Sequence, residues 1–397
     1  MQLIITNAHA VLKDRLLEHA TLFIKDGIIQ NISTEAQVAL NPGMKVNDEV
    51  IDVKGMLLLP GMIDLHSDAI EKEIEPRPGT NFPVELAITQ LEKRLVSQGF
   101  TSVFHSISFA GGEGVRDDGI AQTIIRHLKK RACSVIRNLV HLRYEITNFE
   151  SLTLVKELLN SRAVDLFSIM DHSPGQGQYQ TMADYADYVR KTYHFAESRI
   201  QGIAAERLRR RRQITPEFLE DLIKIATKSN IPTASHDDDT IEKVDWEKQT
   251  GIRISEFPIN METAAQAAKH RMDVVVGAPN IARGVSHNGN LAAIELIKAG
   301  YANIICSDYY PGSMLFAVFK TAREIGSLIE AVKMVSWYPA AALGQDLKIG
   351  SIDIGKLADL IVVAPCGEYP MVKKTFIQGK LVYSGDFWNE NAQAEVS

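Results

Sequence analysis

His66 and Asp68 are the residues from which chemistry can be argued first. They end the run Met62-Ile-Asp-Leu-His-Ser-Asp68, a short apolar pattern of the kind that forms a buried strand. Residues two apart on a strand point to the same side, so an imidazole and a carboxylate can converge just beyond the strand end. That pair suits zinc and other divalent first-row cations. Alone, His-x-Asp is a weak signature, and a single histidine or acid is more often a satisfied structural group or a cap. The signal grows because other strand patterns finish the same way, in Glu145, Asp171-His172, His236-Asp237-Asp238-Asp239 and Ser307-Asp308. Ionisable groups crowded together cost free energy unless something neutralises them. One or two divalent cations would do so, with zinc the leading candidate and manganese or iron the alternatives. His105 also ends a strand pattern and ranks below the others.

The elements that must position these residues alternate. Buried-strand patterns cover Met62–His66, Thr101–His105, Asn138–Glu145, Val164–His172, Ile231–His236, Ile254–Phe257, Asp273–Gly277 and Asn303–Asp308, with helical stretches between most of them. Glu85–Gln98 ends at Gly99 and Leu291–Ala299 at Gly300, a favoured helix stop. Phe218–Ser229 follows Thr215 as N-cap and Pro216 at the first helical position. Strands alternating with helices in this way predict an α/β fold, a (β/α)8 TIM-like barrel, rather than an open sheet. Such barrels carry their active sites at the carboxyl ends of the strands. Both termini read as β-rich, with Asp26-Gly27 joining two of the early runs as a hairpin. The expected organisation is a small β domain from residues 1–55 plus 344–397, and a barrel from 56–343.

At 397 residues the chain accommodates a barrel plus a smaller domain. A net charge of -6 and a pI near 6.0 argue against nucleic acid or a membrane surface as partner. Cys133, Cys306 and Cys366 are scattered, with no paired spacing, which fits a reducing compartment. The N-terminus has no signal-peptide pattern, and no run approaches the ~18 apolar residues of a membrane span. A cytoplasmic location follows as the expectation, with a homodimer the default assembly. Residues 173–214 interrupt the strand–helix rhythm and end in Arg207-Leu-Arg-Arg-Arg-Arg212. That run reads first as a solvated helix face, then as a contact to an anionic substrate, and least as a nucleic-acid patch.

The order of these strand ends resembles the amidohydrolase superfamily. Leu59-Pro-Gly-Met-Ile-Asp-Leu-His66 looks like its opening motif, and Gly350-Ser-Ile-Asp-Ile-Gly-Lys-Leu-Ala-Asp-Leu360 like its return into the small β domain. A narrower resemblance spans almost the whole chain. Asp64-Leu-His-Ser-Asp68, Glu75-Pro-Arg-Pro-Gly79, Leu142-Arg-Tyr-Glu145, Ser168-Ile-Met-Asp-His-Ser-Pro-Gly-Gln176, Ala234-Ser-His-Asp-Asp238, Gly277–Asn290 and Ser307-Asp-Tyr-Tyr-Pro311 look like the branch of ribose 1-methylphosphonate 5-triphosphate diphosphatases. The resemblance implies a metal centre of His66, Asp68, Glu145, His172, His236 and Asp308. In that reading Glu145 bridges, Asp308 takes the proton of the attacking water, and Asp171 and Asp237 steady the neighbouring histidines. Asp68 departs from the superfamily, which usually has a second histidine there, and Ala69 departs from the branch, which usually has asparagine.

A phosphate substrate also needs cations and backbone donors. Lys72, Arg77, Arg283, His287 and Asn290 fall in segments that would follow strand ends, and Gly284 and Gly289 would let backbone N–H groups approach a phosphate. Against this, Arg77 between two prolines also reads as a surface residue, and Lys72 as a partner of a nearby glutamate. The expected activity is metal-dependent hydrolysis of the α–β anhydride of the ribose triphosphate, a small anionic substrate, in phosphonate catabolism. The alternatives are hydrolysis of a cyclic amide or deamination of a ring, and, from another class, a silent scaffold that kept the barrel for binding.

Overall fold

In the computed structural model, residues 2–34, 49–193, 195–284 and 291–385 are described. The N-terminal runs form β1 (Gln2–Val11), β2 (Leu16–Lys25), β3 (Ile28–Ser33), β4 (Glu49–Asp52) and β5 (Leu57–Pro60). Asp26 and Gly27 both adopt positive φ, 54° and 80°, and Lys25 pairs with Ile28, so β2 and β3 join through the expected two-residue turn. The barrel strands follow: β6 (Met62–Ser67), β7 (Phe100–Phe109), β8 (Arg137–Glu145), β9 (Leu166–Met170), β10 (Thr233–His236), β11 (Ile254–Glu256), β12 (Asp273–Gly277) and β13 (Ile304–Cys306). The chain closes with β14 (Leu360–Ala364), β15 (Met371–Ile377) and β16 (Lys380–Ser384).

Both termini share one sheet, in the order β16-β15-β14-β5-β1-β2-β3, with β4 on β1. The link is β5, parallel to β1 and antiparallel to β14. This strand lies past residue 55, where the sequence alone set the boundary, and carries the sheet to Pro60. Leu22, Ile24, Leu58, Leu360 and Phe376 form its buried core.

The strands β6 to β13 run in sequence order, each parallel to the next. A bridge between Ser67 and Asp308 closes them into a barrel. There Asp308 N donates to His66 O at 2.9 Å and Asp68 N to Asp308 O at 2.8 Å. Three residues expected to do chemistry, His66, Asp68 and Asp308, thus meet at the seam. Ile63, Leu65, Phe104, Leu166, Ile254, Val275 and Ile304 fill the barrel interior, and a larger apolar layer packs strands against helices. The helix Pro216–Lys228 shows why the outer layer forms. The Thr215 hydroxyl accepts from Phe218 N, and Leu222, Ile223 and Ala226 make the buried stripe.

Chain and packing agree closely at the crossing between domains. A Cβ on Gly61 would stand 2.2 Å from Thr101 Cγ2, so only glycine passes between β5 and β6. All eight expected barrel strands appear, with shifted ends. Thr101–His105 grows to Phe100–Phe109, whereas Val164–His172 shortens to Leu166–Met170, releasing Asp171 and His172 into the following loop. Residues 173–214 fold largely into two helices, Met182–Tyr193 and Glu197–Arg211, with a small core of their own around Tyr185, Val189, Ile200 and Ala204.

Candidate active site

At the carboxyl end of the barrel, two sets of potential ligands face each other, beside a third, wholly buried set of His66, His141 and Glu256. His66, Asp68 and Asp308 form one, and His172, His236 and Asp237 the other, with ligand atoms within 4.8 Å of one another in each. Positive φ at Asp237 (52°), Phe257 (55°) and Asp308 (54°) turns the chain sharply as each leaves its strand. Non-glycine residues in this region cost roughly 1–3 kcal/mol each and cluster at functional sites. Backbone bonds hold all three turns, Asp237 N to Glu256 O at 2.9 Å, Phe257 N to Val275 O at 3.0 Å and Asp308 N to His66 O at 2.9 Å.

Glu256, at the end of β11, fixes the imidazoles. Its Oε1 lies 3.0 Å from His66 Nδ1 and its Oε2 3.4 Å from His236 Nδ1. With Nδ1–H directed at this carboxylate, both rings present the Nε2 lone pair to the site. His141, wholly buried below, lies 3.7 Å from Glu256 and bonds Ser168 Oγ at 2.9 Å. Burial, then the Arg143 charge, hold His66 down to about 3, and burial likewise holds His141 to about 3. His236 is lowered well below its usual range by the same two causes. All three are therefore neutral at pH 7, the protonation state a ligand requires.

The other groups behave differently. Burial pushes His172 down, but the carboxylates of Asp237 and Glu145 outweigh it and raise its pKa to about 9. Burial, then the charge of Asp68, push Asp308 up to about 8. Burial also raises Asp68, yet Arg143 together with His66, Arg116 and His141 outweighs it and leaves that carboxyl below its ordinary range. His172 Nε2 and Asp237 Oδ2 are buried without a hydrogen-bond partner and stand 3.6 Å apart. Buried polar atoms are rarely left unpaired. Two neutral imidazoles, two carboxylates and this orphaned pair fit a divalent cation.

The remaining expected residues are dispersed. Glu145 lies behind His172, outside both ligand sets. One oxygen accepts from Thr147 Oγ1 at 3.1 Å; the other accepts from His172 N at 3.1 Å and faces its Nδ1 at 3.2 Å. Asp171 turns away to cap Ser173 N and pair with Arg211. Asp237, expected as a support, stands among the ligand atoms instead. Arg283 lines the cavity above the cluster, a space of about 350 Å³. Lys72 and Arg77 are exposed and line neither this cavity nor its neighbour. His287 and Asn290 lie outside the described residues. His105 bonds Asn138 Oδ1 at 2.8 Å within the strand layer. Ala69 is buried at the start of a short helix, Ala69–Ile74. The basic run is spent internally: Arg209 and Arg210 pair with Glu206, Arg210 also with Glu150, Arg211 with Asp171, and Arg207 donates to His172 O at 3.3 Å.

Sequence reasoning missed two residues. Glu256 ends a recognised strand but has no flanking histidine to single it out. Arg143, in the middle of β8, donates from NH1 to Asp68 Oδ1 at 3.1 Å and from NH2 to His236 Nε2 at 3.0 Å. It thereby joins the two ligand sets, and nothing in the local sequence signals that.

A closed parallel barrel whose strands end in clustered imidazoles and carboxylates defines a hydrolase of the metal-dependent barrel class. The chain belongs to the amidohydrolase family, whose family model matches residues 57–382. It is 33% identical over 388 residues to the α-D-ribose 1-methylphosphonate 5-triphosphate diphosphatase of Escherichia coli (strain K12), covering 96% of this chain and 100% of that one. It is 22% identical over 390 residues to the imidazolonepropionase of Clostridium tetani (strain Massachusetts / E88), covering 90% and 86%. Among solved structures, a Xaa-Pro dipeptidase with bound methionine matches with a TM-score of 0.67 at 14% identity, over 97% of this chain and 100% of that one, a likeness of fold.

Proposed function

We propose that this protein hydrolyses the α–β phosphoanhydride of α-D-ribose 1-methylphosphonate 5-triphosphate, releasing the 5-phosphate and pyrophosphate. The observation that carries the reading is the pairing of two ligand sets with the buried guanidinium of Arg143, and with Arg116 and Arg283, at one strand-end cavity, together with 33% identity to a diphosphatase of that name over 96% of this chain. Divalent cations bound there, with zinc the first choice, would acidify a water to near neutral pH and draw charge from phosphate oxygens. His66, Asp68 and Asp308 would hold one, and His172, His236 and Asp237 the other.

This chain's residues then do the following. Asp308 Oδ accepts the proton of the water whose oxygen attacks the α-phosphorus. The bond from that phosphorus to the bridging oxygen breaks, and pyrophosphate leaves with the electron pair. Glu256 holds His66 and His236 in the tautomer that faces the site, and Glu145 holds His172, a supporting role rather than a bridging one. Arg143 and Arg116 neutralise the phosphate chain as charge moves onto the leaving group. Arg283 contacts the far end of the substrate. No helix among the described residues is long and apolar enough to cross a membrane. The three cysteines are unpaired, which fits the reducing cytoplasm we assign to it.

Phosphorus NMR of the metal-loaded protein with this triphosphate tests the reading. Pyrophosphate and a 5-phosphate product growing in together support it; inorganic phosphate alone, or an unchanged spectrum, refutes it. The second reading, hydrolysis of a cyclic amide, draws on the imidazolonepropionase likeness. It predicts that Arg283→Gln leaves turnover intact, since a carbonyl substrate needs no such cation.

A further inference from the structure

The helices inserted between β9 and β10 roof a second cavity of about 560 Å³. It shares a wall with the cavity above the ligand sets, and that wall consists of Arg116, Arg143, His172, Tyr179 and Tyr188. Two connected spaces meeting at the reacting groups suit a substrate that is split between them. Their linings differ in kind. The first is bounded by Phe257, Pro258, Ile259, Val276 and Leu291, with Arg283 among them. The second carries Arg199, Arg207 and Arg210 besides the two shared arginines.

Each of those cations already faces a carboxylate, so a ligand must share or displace a partner. Arg199 is paired with Glu113, and Arg210 with Glu150 and Glu206, each pair more exposed than the shared wall. Nearer the wall, three guanidinium groups arrive from three separate elements: Arg116 from the loop after β7, Arg143 from β8, and Arg207 from the inserted helix. Arg116 pairs through Nε and NH2 with Glu71, at 3.0 Å, and donates from NH1 to the Tyr188 hydroxyl at 3.1 Å, leaving that hydroxyl's own proton to be given elsewhere. Arg143 is held by Asp68 and by His236 Nε2. A cation taking that Nε2 lone pair removes one of its acceptors, and the freed N–H needs an oxygen.

We propose that the roofed cavity is the leaving-group subsite, where Arg116, Arg143, Arg207 and the Tyr188 hydroxyl grip pyrophosphate. The sugar and its methylphosphonate then lie on the Arg283 side, against the apolar wall. This assignment rests on the diphosphatase reading. It gives the insertion a purpose: it adds Arg207 and the Tyr188 hydroxyl to the two arginines that the barrel itself brings to the departing half of the substrate.

Calorimetric titration of the metal-loaded, full-length protein tests it, with inorganic pyrophosphate and methylphosphonate as separate probes. Tyr188→Phe keeps the ring and its packing, and Arg207→Gln removes one charge from the roof. Each should weaken pyrophosphate about tenfold, the scale of one lost hydrogen bond to an anion, and leave methylphosphonate unchanged. Metal content and far-ultraviolet circular dichroism, measured alongside, should match the parent. Unchanged pyrophosphate binding in both variants, or equal weakening of both probes, overturns the subsite. Because the titration needs no turnover, the two readings fail separately. Variant-sensitive pyrophosphate binding without hydrolysis sinks only the diphosphatase reading, and hydrolysis with insensitive binding sinks only the subsite.

Discussion

The guanidinium of Arg143 donates to His236 Nε2 at 3.0 Å, onto the lone pair a divalent cation would use. The two cannot share that lone pair, so cation binding and release of Arg143 are linked. A guanidinium released beside a phosphate chain is a strong, directional donor. Arg143→Lys keeps the charge but loses the planar fork. It should reduce turnover about 100-fold, or ~2–3 kcal/mol of transition-state stabilisation, with bound metal unchanged. Steady-state kinetics with elemental analysis would decide; turnover within about threefold of the parent would show that Arg143 has no part in the reaction.

Glu256 touches two candidate ligand rings at once, 3.0 Å from His66 Nδ1 and 3.4 Å from His236 Nδ1. Glu256→Gln preserves size but offers one acceptor where two rings need one. Losing a carboxylate behind a ligating histidine typically lowers metal affinity about 10–100-fold, and we expect that here. Competition against a chromophoric chelator measures it. Equal affinity in parent and variant would remove Glu256 from the account.

Glu145 separates two descriptions of the centre. If it bridges cations, Glu145→Gln should lower the bound stoichiometry. If it supports His172 from behind, as its contacts with His172 N and Nδ1 indicate, the variant should still fill both positions, with affinity reduced about tenfold. Titration with cobalt, followed by absorbance and elemental analysis, distinguishes these. Halved stoichiometry would contradict the supporting role.

Metal uptake should release protons in mildly alkaline buffer. Without a cation, His172 has a pKa raised to about 9 and Asp308 one raised to about 8. The folded state therefore binds more protons than the unfolded one up to those values. For His172 the stabilisation is complete below its unfolded pKa of about 6.5 and is lost as pH rises through 9; for Asp308 a penalty grows from about 4 up to 8. Both make the metal-free protein less stable between pH 7 and 9. Both must also deprotonate to act as ligands, so apparent metal affinity should rise across the same range. Calorimetry of metal binding at pH 7.5 in buffers of differing ionisation enthalpy counts the protons. No buffer dependence would contradict the assignment.

Much of this was legible in the chain because barrel strands are short, buried and followed by helices with clear stops. Asp26-Gly27, Thr215-Pro216 and Gly99 each carried their local conformation in their chemistry. The candidate ligands could be picked out because they sit at strand ends. What the chain hid was direction. Asp171 and Asp237 hold equivalent places beside a histidine, yet a positive φ turns Asp237 in among the ligand atoms, while an ion pair with Arg211 draws Asp171 out. Glu145 reads as a bridge from the sequence, whereas its contacts are with His172 N and Nδ1. Arg143 and Glu256 contact residues 75 and 190 positions away, or 93 and 20, through the closure of the barrel alone. In the basic run at 207–212, Arg209 and Arg210 pair with Glu206 inside the insertion, while Arg210 also reaches Glu150 and Arg211 reaches Asp171 outside it, which no local pattern distinguishes from a solvated face.

The central claim is that water attacks the α-phosphorus of the ribose triphosphate. The most direct measurement runs the metal-loaded protein with that substrate in oxygen-18 water and reads the isotope shift by phosphorus NMR. The account predicts the label on the ribose 5-phosphate and none in pyrophosphate. Label in pyrophosphate would place the attack at the β-phosphorus, and an unlabelled, intact triphosphate would remove this substrate altogether.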